Sequence, residues 1–174
     1  MTARVRLYAA MSIDGCLADA EGGIAWLAPF DAQDYGMVGF LSGIGALLTG
    51  RATYDQVRDF ADWPYPGKRV VVLTHRPLDS DPPEGVEAAA GDLAAIVTRL
   101  RVETTGDIWL LGGAAVAQAA LAQGLVDTLE IFVIPVTLGD GIRLFGREGV
   151  PRGWRLDAAR PFPNGVVGLE YRHG

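Results

Sequence analysis

The chain has 174 residues, of which 49% are hydrophobic and 21% charged, with a formal net charge of −6. That length and balance suit one globular domain with a real core and exclude a disordered chain. The acidic balance argues against nucleic acid or an anionic membrane as a partner, no apolar run nears the ~18 residues of a membrane span, and the single Cys16 excludes a disulfide framework or a cysteine-based zinc site. Residues 4–10 alternate apolar and polar positions and read as a strand, and Asp14-Gly15 is a turn signal directly after it. The chain therefore enters a strand pattern without a signal peptide's apolar region, which gives the expectation of a cytoplasmic protein.

Residues 31–41 read as a helix, with Asp31 as N-cap and Tyr35, Val38 and Leu41 at helical spacing. A short apolar strand follows at 44–48 and a helix at 51–60. Two prolines make Trp63-Pro64-Tyr65-Pro66-Gly67 a loop. Arg69–Leu73 is a β-branched strand, followed by a proline-rich loop over 77–85. Leu93, Ile96, Val97 and Leu100 mark an amphipathic helix starting near Asp92. A buried strand at 108–111 leads into a helix from 113 to about 123. Residues 129–136 form an apolar strand whose Pro135 signals an edge, a bulge or a strand end. The last two strands, 154–160 and 166–172, flank Asn164-Gly165, a tight-hairpin signal. The order predicts an α/β fold: a single-domain mixed sheet over 1–174 with a parallel centre, an antiparallel C-terminal edge and helices on both faces.

Two strand–glycine–helix junctions carry the chemistry. One is Ile108-Trp109-Leu110-Leu111-Gly112-Gly113-Ala114-Ala115, the other Leu47-Leu48-Thr49-Gly50-Arg51-Ala52-Thr53. The first N–H groups of a helix lack intrahelical partners and attract anions, and glycine lets a phosphate approach the backbone. Two such mouths suit a ligand with more than one phosphate, such as a dinucleotide. Neither is the G-x-G-x-x-G fingerprint. Four segments should meet along one sheet edge: Met11 to Gly15, Thr49 to Thr53, Leu73-Thr74-His75-Arg76, and Gly112-Gly113-Ala114.

With these residues the chain resembles the dihydrofolate-reductase-like superfamily, in particular the small stand-alone proteins related to the reductase domain of riboflavin biosynthesis. The carrying segments are Ser12-Ile13-Asp14-Gly15, Gly50-Arg51-Ala52-Thr53-Tyr54, Leu73-Thr74-His75-Arg76, Gly112-Gly113, and Leu125-Val126-Asp127-Thr128-Leu129 leading into Pro135 to Gly141. The resemblance implies NADPH as cofactor. Gly50, Arg51, Ala52 and Thr53 would meet phosphates at one mouth, and Gly112, Gly113, Ala114 and Ala115 the diphosphate at the other. Thr74, His75 and Arg76 would meet the adenosine 2′-phosphate, with the nicotinamide near Ala9, Ala10 and Ile13. It also implies an acid on the first helix that grips an amino-pyrimidine edge; Asp34 fits that place, with Asp31 in competition as the natural N-cap. Asp14 reads as a turn former, and Trp63 and Tyr65 as loop packing.

The chain lacks the His-x-x-Arg-type segment of riboflavin reductases and has Leu27-Ala28-Pro29 after Trp26, which leaves the substrate open. The implied activity is hydride transfer to a pterin-like or ribosylamino-pyrimidine small molecule. Two alternatives stand beside it: an NADP-binding protein of the same fold without efficient turnover, and a flavodoxin-like FMN binder. No metal is implied. The apolar 129–134 stretch, placed at a sheet edge, predicts a homodimer.

Overall fold

The computed structural model describes residues 2–146 and 151–174. Its centre is an eight-stranded sheet in the order β5-β4-β3-β6-β1-β7-β10-β9. The strands are β1 (Val5–Ser12), β3 (Ile44–Gly50), β4 (Arg69–Leu73), β5 (Val86–Ala89), β6 (Asp107–Gly112), β7 (Thr128–Ile134), β9 (Trp154–Pro161) and β10 (Val167–His173). All neighbours from β5 to β7 pair in parallel, whereas β10 pairs antiparallel with β7 and β9. Two short strands, β2 (Cys16–Ala18) and β8 (Ile142–Arg143), form a separate antiparallel pair.

Period-two alternation sorts the central strands between two cores. Val5, Leu7, Leu48, Val71, Ile108 and Leu110 face helices α3 (Leu93–Glu103) and α4 (Ala114–Ala122). Tyr8, Leu47, Val70, Val72 and Trp109 face the other side, with Phe40 of α1 (Met37–Ser42) and Tyr54 of α2 (Arg51–Arg58). Trp63 and Tyr65 pack onto this second core, as loop packing. Asp92 caps α3 by accepting the Ala95 N–H at 2.9 Å. The mixed sheet with helices on both faces is the predicted architecture. Its strand order, with an antiparallel hairpin at one end, differs from the all-parallel 2-1-3-4-5 sheet of flavodoxins and removes that alternative.

Three expectations are corrected. The helix over 31–41 does not form. A 3₁₀ segment spans Ala25–Phe30, Gly36 adopts φ +84°, and only Met37–Ser42 is helical. Asp31 is therefore no N-cap, and Asp34 lies on the approach to α1 rather than on a helix. The strand at 129–134 is not an edge: β7 sits between β1 and β10, with Pro135 just past its end. The dimer argument built on its exposure loses its ground. The strands β2, β5 and β8 were not expected. Among the described residues, no helix is long and apolar enough to cross a membrane.

Candidate functional site

β3 and β6 are neighbours, and each passes into its helix with no loop between: Gly50 precedes α2, and Gly113 follows β6 and precedes α4. From β3 the chain moves outward to β4, and from β6 it crosses β1 to β7, so strand progression reverses between them. Open α/β sheets bind ligands at such a switch point. Among the described residues no side chain caps either helix N-terminus, so the first N–H groups of α2 and α4 are left to an external partner.

The two mouths are locked together. Thr49, fully buried, donates from Oγ1 to the Gly112 carbonyl at 2.9 Å. Gly112 has φ +120°, a conformation that side chains rarely adopt, and its peptide bond to Gly113 is cis. A Cβ at Gly113 would lie 2.8 Å from Thr53 Oγ1, and one at Gly50 would lie 3.1 Å from Val116 Cγ2. Glycine is thus the residue that lets the mouths approach. Ala52 and Ala115 are exposed there, with Thr53 and Ala114 half-buried. The sequence places Thr49 in the second junction but not its part in locking the mouths, because nothing local marks a threonine whose partner lies 63 residues away.

The remaining expected residues divide. Thr74 ends β4 in a turn: its hydroxyl accepts the Arg76 N–H and donates to the Arg76 carbonyl, each at 3.1 Å. His75 and Arg76 are exposed, and the Arg76 guanidinium has no carboxylate partner among the described residues. Arg51 is different. Its guanidinium donates to Asp55 at 2.8 Å and to the Pro77 carbonyl at 2.8 Å, and lies 3.7 Å from Asp79. That side chain is spent on tying α2 to the loop after β4, which leaves its backbone N–H for an anion. Ile13 is 59% exposed at the end of β1, an apolar surface beside the sheet edge. Ala10 is half-buried.

Asp14 is a structural clamp, as its turn reading predicts. It accepts from the Ser12 hydroxyl at 2.6 Å and from the Leu138 and Gly139 N–H groups at 3.1 and 2.7 Å. The Ser12 hydroxyl first, and those two amides next, hold its pKa down at about 2. Asp34 is exposed; its Oδ1 accepts the Gly36 N–H at 2.7 Å and Oδ2 has no partner among the described residues.

On the α1 side, a cavity of about 220 Å³ lies over β1, β7 and β10. Tyr35 and Gly36, the residues after Asp34, line its rim, and Tyr8, Phe40, Phe132 and Phe162 supply aromatic walls. Burial pushes the Tyr8 phenol up to about 12, so it stays protonated near neutrality. Below these rings, Arg6 grips Glu130 through Nε and Nη2 at 2.7 and 2.8 Å and stacks on Phe40 at 4.6 Å. Burial pushes the Glu130 carboxyl up, and Arg6 opposes that shift. No lining residue belongs to the two helix mouths. The sequence offered no sign of this cavity, because Arg6 and Glu130 are 124 residues apart.

The sequence pattern of the RibD C-terminal domain matches residues 3–168. The chain belongs to that family. The uncharacterized protein YwjB of Bacillus subtilis is 33% identical over 168 residues, covering 95% of this chain and 96% of its own. The riboflavin biosynthesis protein RibD of Corynebacterium ammoniagenes is 31% identical over 160 residues, covering 79% of this chain and 44% of that longer protein. The crystal structure of a candidate riboflavin biosynthesis protein from Shewanella sp. PV-4 superposes with a TM-score of 0.86 and 27% identity, covering 100% and 99% of the two chains. Dihydrofolate reductase from Enterococcus faecalis, complexed with NADP(H) and RAB-propyl, superposes at 0.72 with 21% identity, covering 98% and 96%. The fold is therefore dihydrofolate-reductase-like, and the suspected kinship with riboflavin-reductase domains holds.

Proposed function

We propose that this chain is an NADPH-dependent reductase that transfers hydride to a C=N or C=O carbon of a pterin-like or ribosylamino-pyrimidine substrate. The observation that carries this reading is the pair of uncapped helix N-termini held side by side by Thr49 and the Gly50 and Gly112-Gly113 backbone. That donor set fits a diphosphate. The backbone N–H groups of Arg51, Ala52 and Thr53 serve one side, and those of Ala114 and Ala115 the other. Thr74, His75 and Arg76 receive the 2′-phosphate, and Ala10, Ile13 and Gly113 flank the nicotinamide. When bound, NADPH supplies the hydride. The protein binds, orients and excludes water, and Asp34 Oδ2 accepts from the substrate's amino edge and moves the proton that accompanies reduction. Stopped-flow oxidation of NADPH across a panel of pterins and ribosylamino-pyrimidines tests the reading. Tight NADPH binding with no oxidation by any of them favours the non-turnover relative instead.

Arg76→Ala is expected to weaken NADPH by about 10- to 100-fold and leave NADH nearly unchanged, since one charge-assisted phosphate contact contributes roughly 1.5–3 kcal/mol. Calorimetry with both cofactors checks it; equal losses reject Arg76 as the phosphate reader. Asp34→Asn is expected to lower kcat/KM by at least about 10-fold, from the same contact strength, with NADPH affinity kept. Asp31→Asn is the control and stays silent; the reverse pattern moves the acid to Asp31. The functional unit is proposed as a homodimer joined at the β9 edge, where Leu156 is 51% exposed. Light scattering near the 18.5 kDa of one chain rejects that.

A further inference from the structure

The stretch between the 3₁₀ segment and α1 carries both candidate acids, Asp31 and Asp34, and has no regular structure of its own. Its own hydrogen bonds are local. Asp34 Oδ1 accepts the Gly36 N–H at 2.7 Å, and Gln33 Nε2 donates to the Asp34 carbonyl at 2.9 Å. Such contacts set the shape of a turn but not its place on the molecule. Among the described residues, two hydrogen bonds reach residues 31–36 from the sheet and its last hairpin, and both end on Tyr35. The Tyr8 hydroxyl meets the Tyr35 carbonyl at a long 3.5 Å, and Asn164 Nδ2 donates to the Tyr35 hydroxyl at 2.7 Å.

The second of these belongs to a relay with a fixed direction. The Tyr35 hydroxyl has one hydrogen and a carbonyl can only accept, so it donates to the Phe30 carbonyl at 2.9 Å and accepts from Asn164. Asn164 presents its amide N–H there because its Oδ1 accepts the Val166 N–H at 3.3 Å. Phe30 ends the 3₁₀ segment, where carbonyls run out of helical partners. Its backbone donor among the described residues is the Gln33 N–H, at 3.4 Å. The Tyr35 ring stands edge-on to Phe132 and Phe162, with centroids 5.4 and 4.9 Å away. The tip of the β9–β10 hairpin, 129 residues further on, thus ties the loop from Phe30 to Tyr35 to the sheet.

We propose that Asn164 and Tyr35 are positioning residues: the relay from Asn164 through Tyr35 to Phe30 fixes the loop that bears the substrate-side acid, so that Asp34 Oδ2 meets the substrate in one place. The inference rests on the reductase reading for what Asp34 does there. An exposed carboxylate on an unanchored turn would have to be ordered at each encounter, at a cost in conformational entropy. The relay orders it beforehand, from an element that carries none of the proposed cofactor contacts.

Asn164→Asp is the discriminating variant. Asp-Gly suits a tight hairpin as Asn-Gly does, and the new carboxylate still accepts the Val166 N–H. It has no N–H to give, so it competes with Phe30 for the single Tyr35 hydrogen, and the charged acceptor wins. At about pH 3, below the ordinary aspartate value of about 3.9, the introduced carboxyl is protonated and donates again. Hydrogen exchange of the Gln33 and Gly36 amides at pH 7 is expected to be about 5- to 10-fold faster than in the wild type for Asn164→Asp and for Tyr35→Phe, the effect of one hydrogen bond. At about pH 3 the excess should vanish for Asn164→Asp and persist for Tyr35→Phe. The double variant should be no faster than either single one, since both break one relay. The Leu110 amide, in central β6, should keep its wild-type rate. Both variants should lower kcat/KM by about 5- to 10-fold with NADPH affinity kept. Wild-type exchange in the variants, additive effects, equal acceleration at Leu110, or full kcat/KM despite faster exchange overturns the proposal. If no pterin or ribosylamino-pyrimidine oxidises NADPH with the wild-type protein, the reductase reading has failed, and the exchange rates alone decide the tether.

Discussion

Gly113→Val is expected to reduce NADPH affinity by about 100-fold, the equivalent of two charge-assisted contacts at roughly 1.5 kcal/mol each. The backbone at Gly113 is extended at φ −63°, ψ −174°, which valine adopts freely, so the loss comes from bulk. A Cβ would stand 2.8 Å from Thr53 Oγ1, so the Thr53 side chain must turn away or one helix mouth must move from the other, and the two methyls of valine add to that crowding. The phosphates then find one set of N–H groups or the other, not both. Calorimetric titration reads the affinity, and thermal melting separates it from unfolding. Gly113→Ala should show a smaller loss, and adding Thr53→Ala should restore part of it by making room. Full affinity in Gly113→Val would exclude the paired mouths as the phosphate site.

Arg6→Ala is expected to destabilise the fold by about 3 kcal/mol at pH 7, because it leaves Glu130 buried without its partner. For a chain of this size that corresponds to a Tm lower by about 6–12 °C. The effect should depend on pH. Glu130 already has a folded-state pKa above its ordinary value of 4.5, chiefly from burial, and loses the opposing Arg6 in the variant. Between the ordinary and the raised value the folded state holds a proton that the unfolded state has released. Stability therefore falls as pH rises through that window, and the variant's deficit is largest above it and shrinks below 4.5. Urea denaturation at pH 7 and pH 4 measures this. An equal deficit at both values would mean that the lost packing on Phe40 dominates and the charge does not.

What could be read from the sequence was what repeats locally. The alternation in Val5 to Tyr8, Leu47-Leu48 and Ile108 to Leu110 places residues in two cores, and the structure has both. Asn164-Gly165 does turn the chain, with Gly165 at φ +88° and the Phe162 N–H donating to the Val166 carbonyl at 2.8 Å. The two glycine junctions were visible because a strand ending in glycine before a helix is a contiguous pattern. The helix over 31–41 failed at Gly36, whose left-handed conformation outweighs the spacing of Tyr35, Val38 and Leu41. β5 escaped notice because Val86–Ala89 has little alternation and is a strand only by pairing with β4. The Arg6–Glu130 pair and the cavity above it depend on register between distant strands, which no window of the sequence contains.

The central position of β1 has a consequence for how the chain folds during synthesis. β1 pairs with β6 on one side and β7 on the other, and both follow it by a long stretch of chain. At ~5–20 residues per second, the ribosome takes roughly 5–20 s to deliver them after β1 has emerged. Through that interval Val5, Leu7 and Tyr8 stand on a strand with two open edges and no sheet to join. β3, α2, β4 and β5 come next, and their contacts are between successive segments, so they can assemble first. β1 then enters between β6 and β7 late, as the piece that joins two halves of the sheet. A nascent chain stalled before residue 107 should accordingly bind a chaperone through its first strand, while the β3–β5 unit already resists protease.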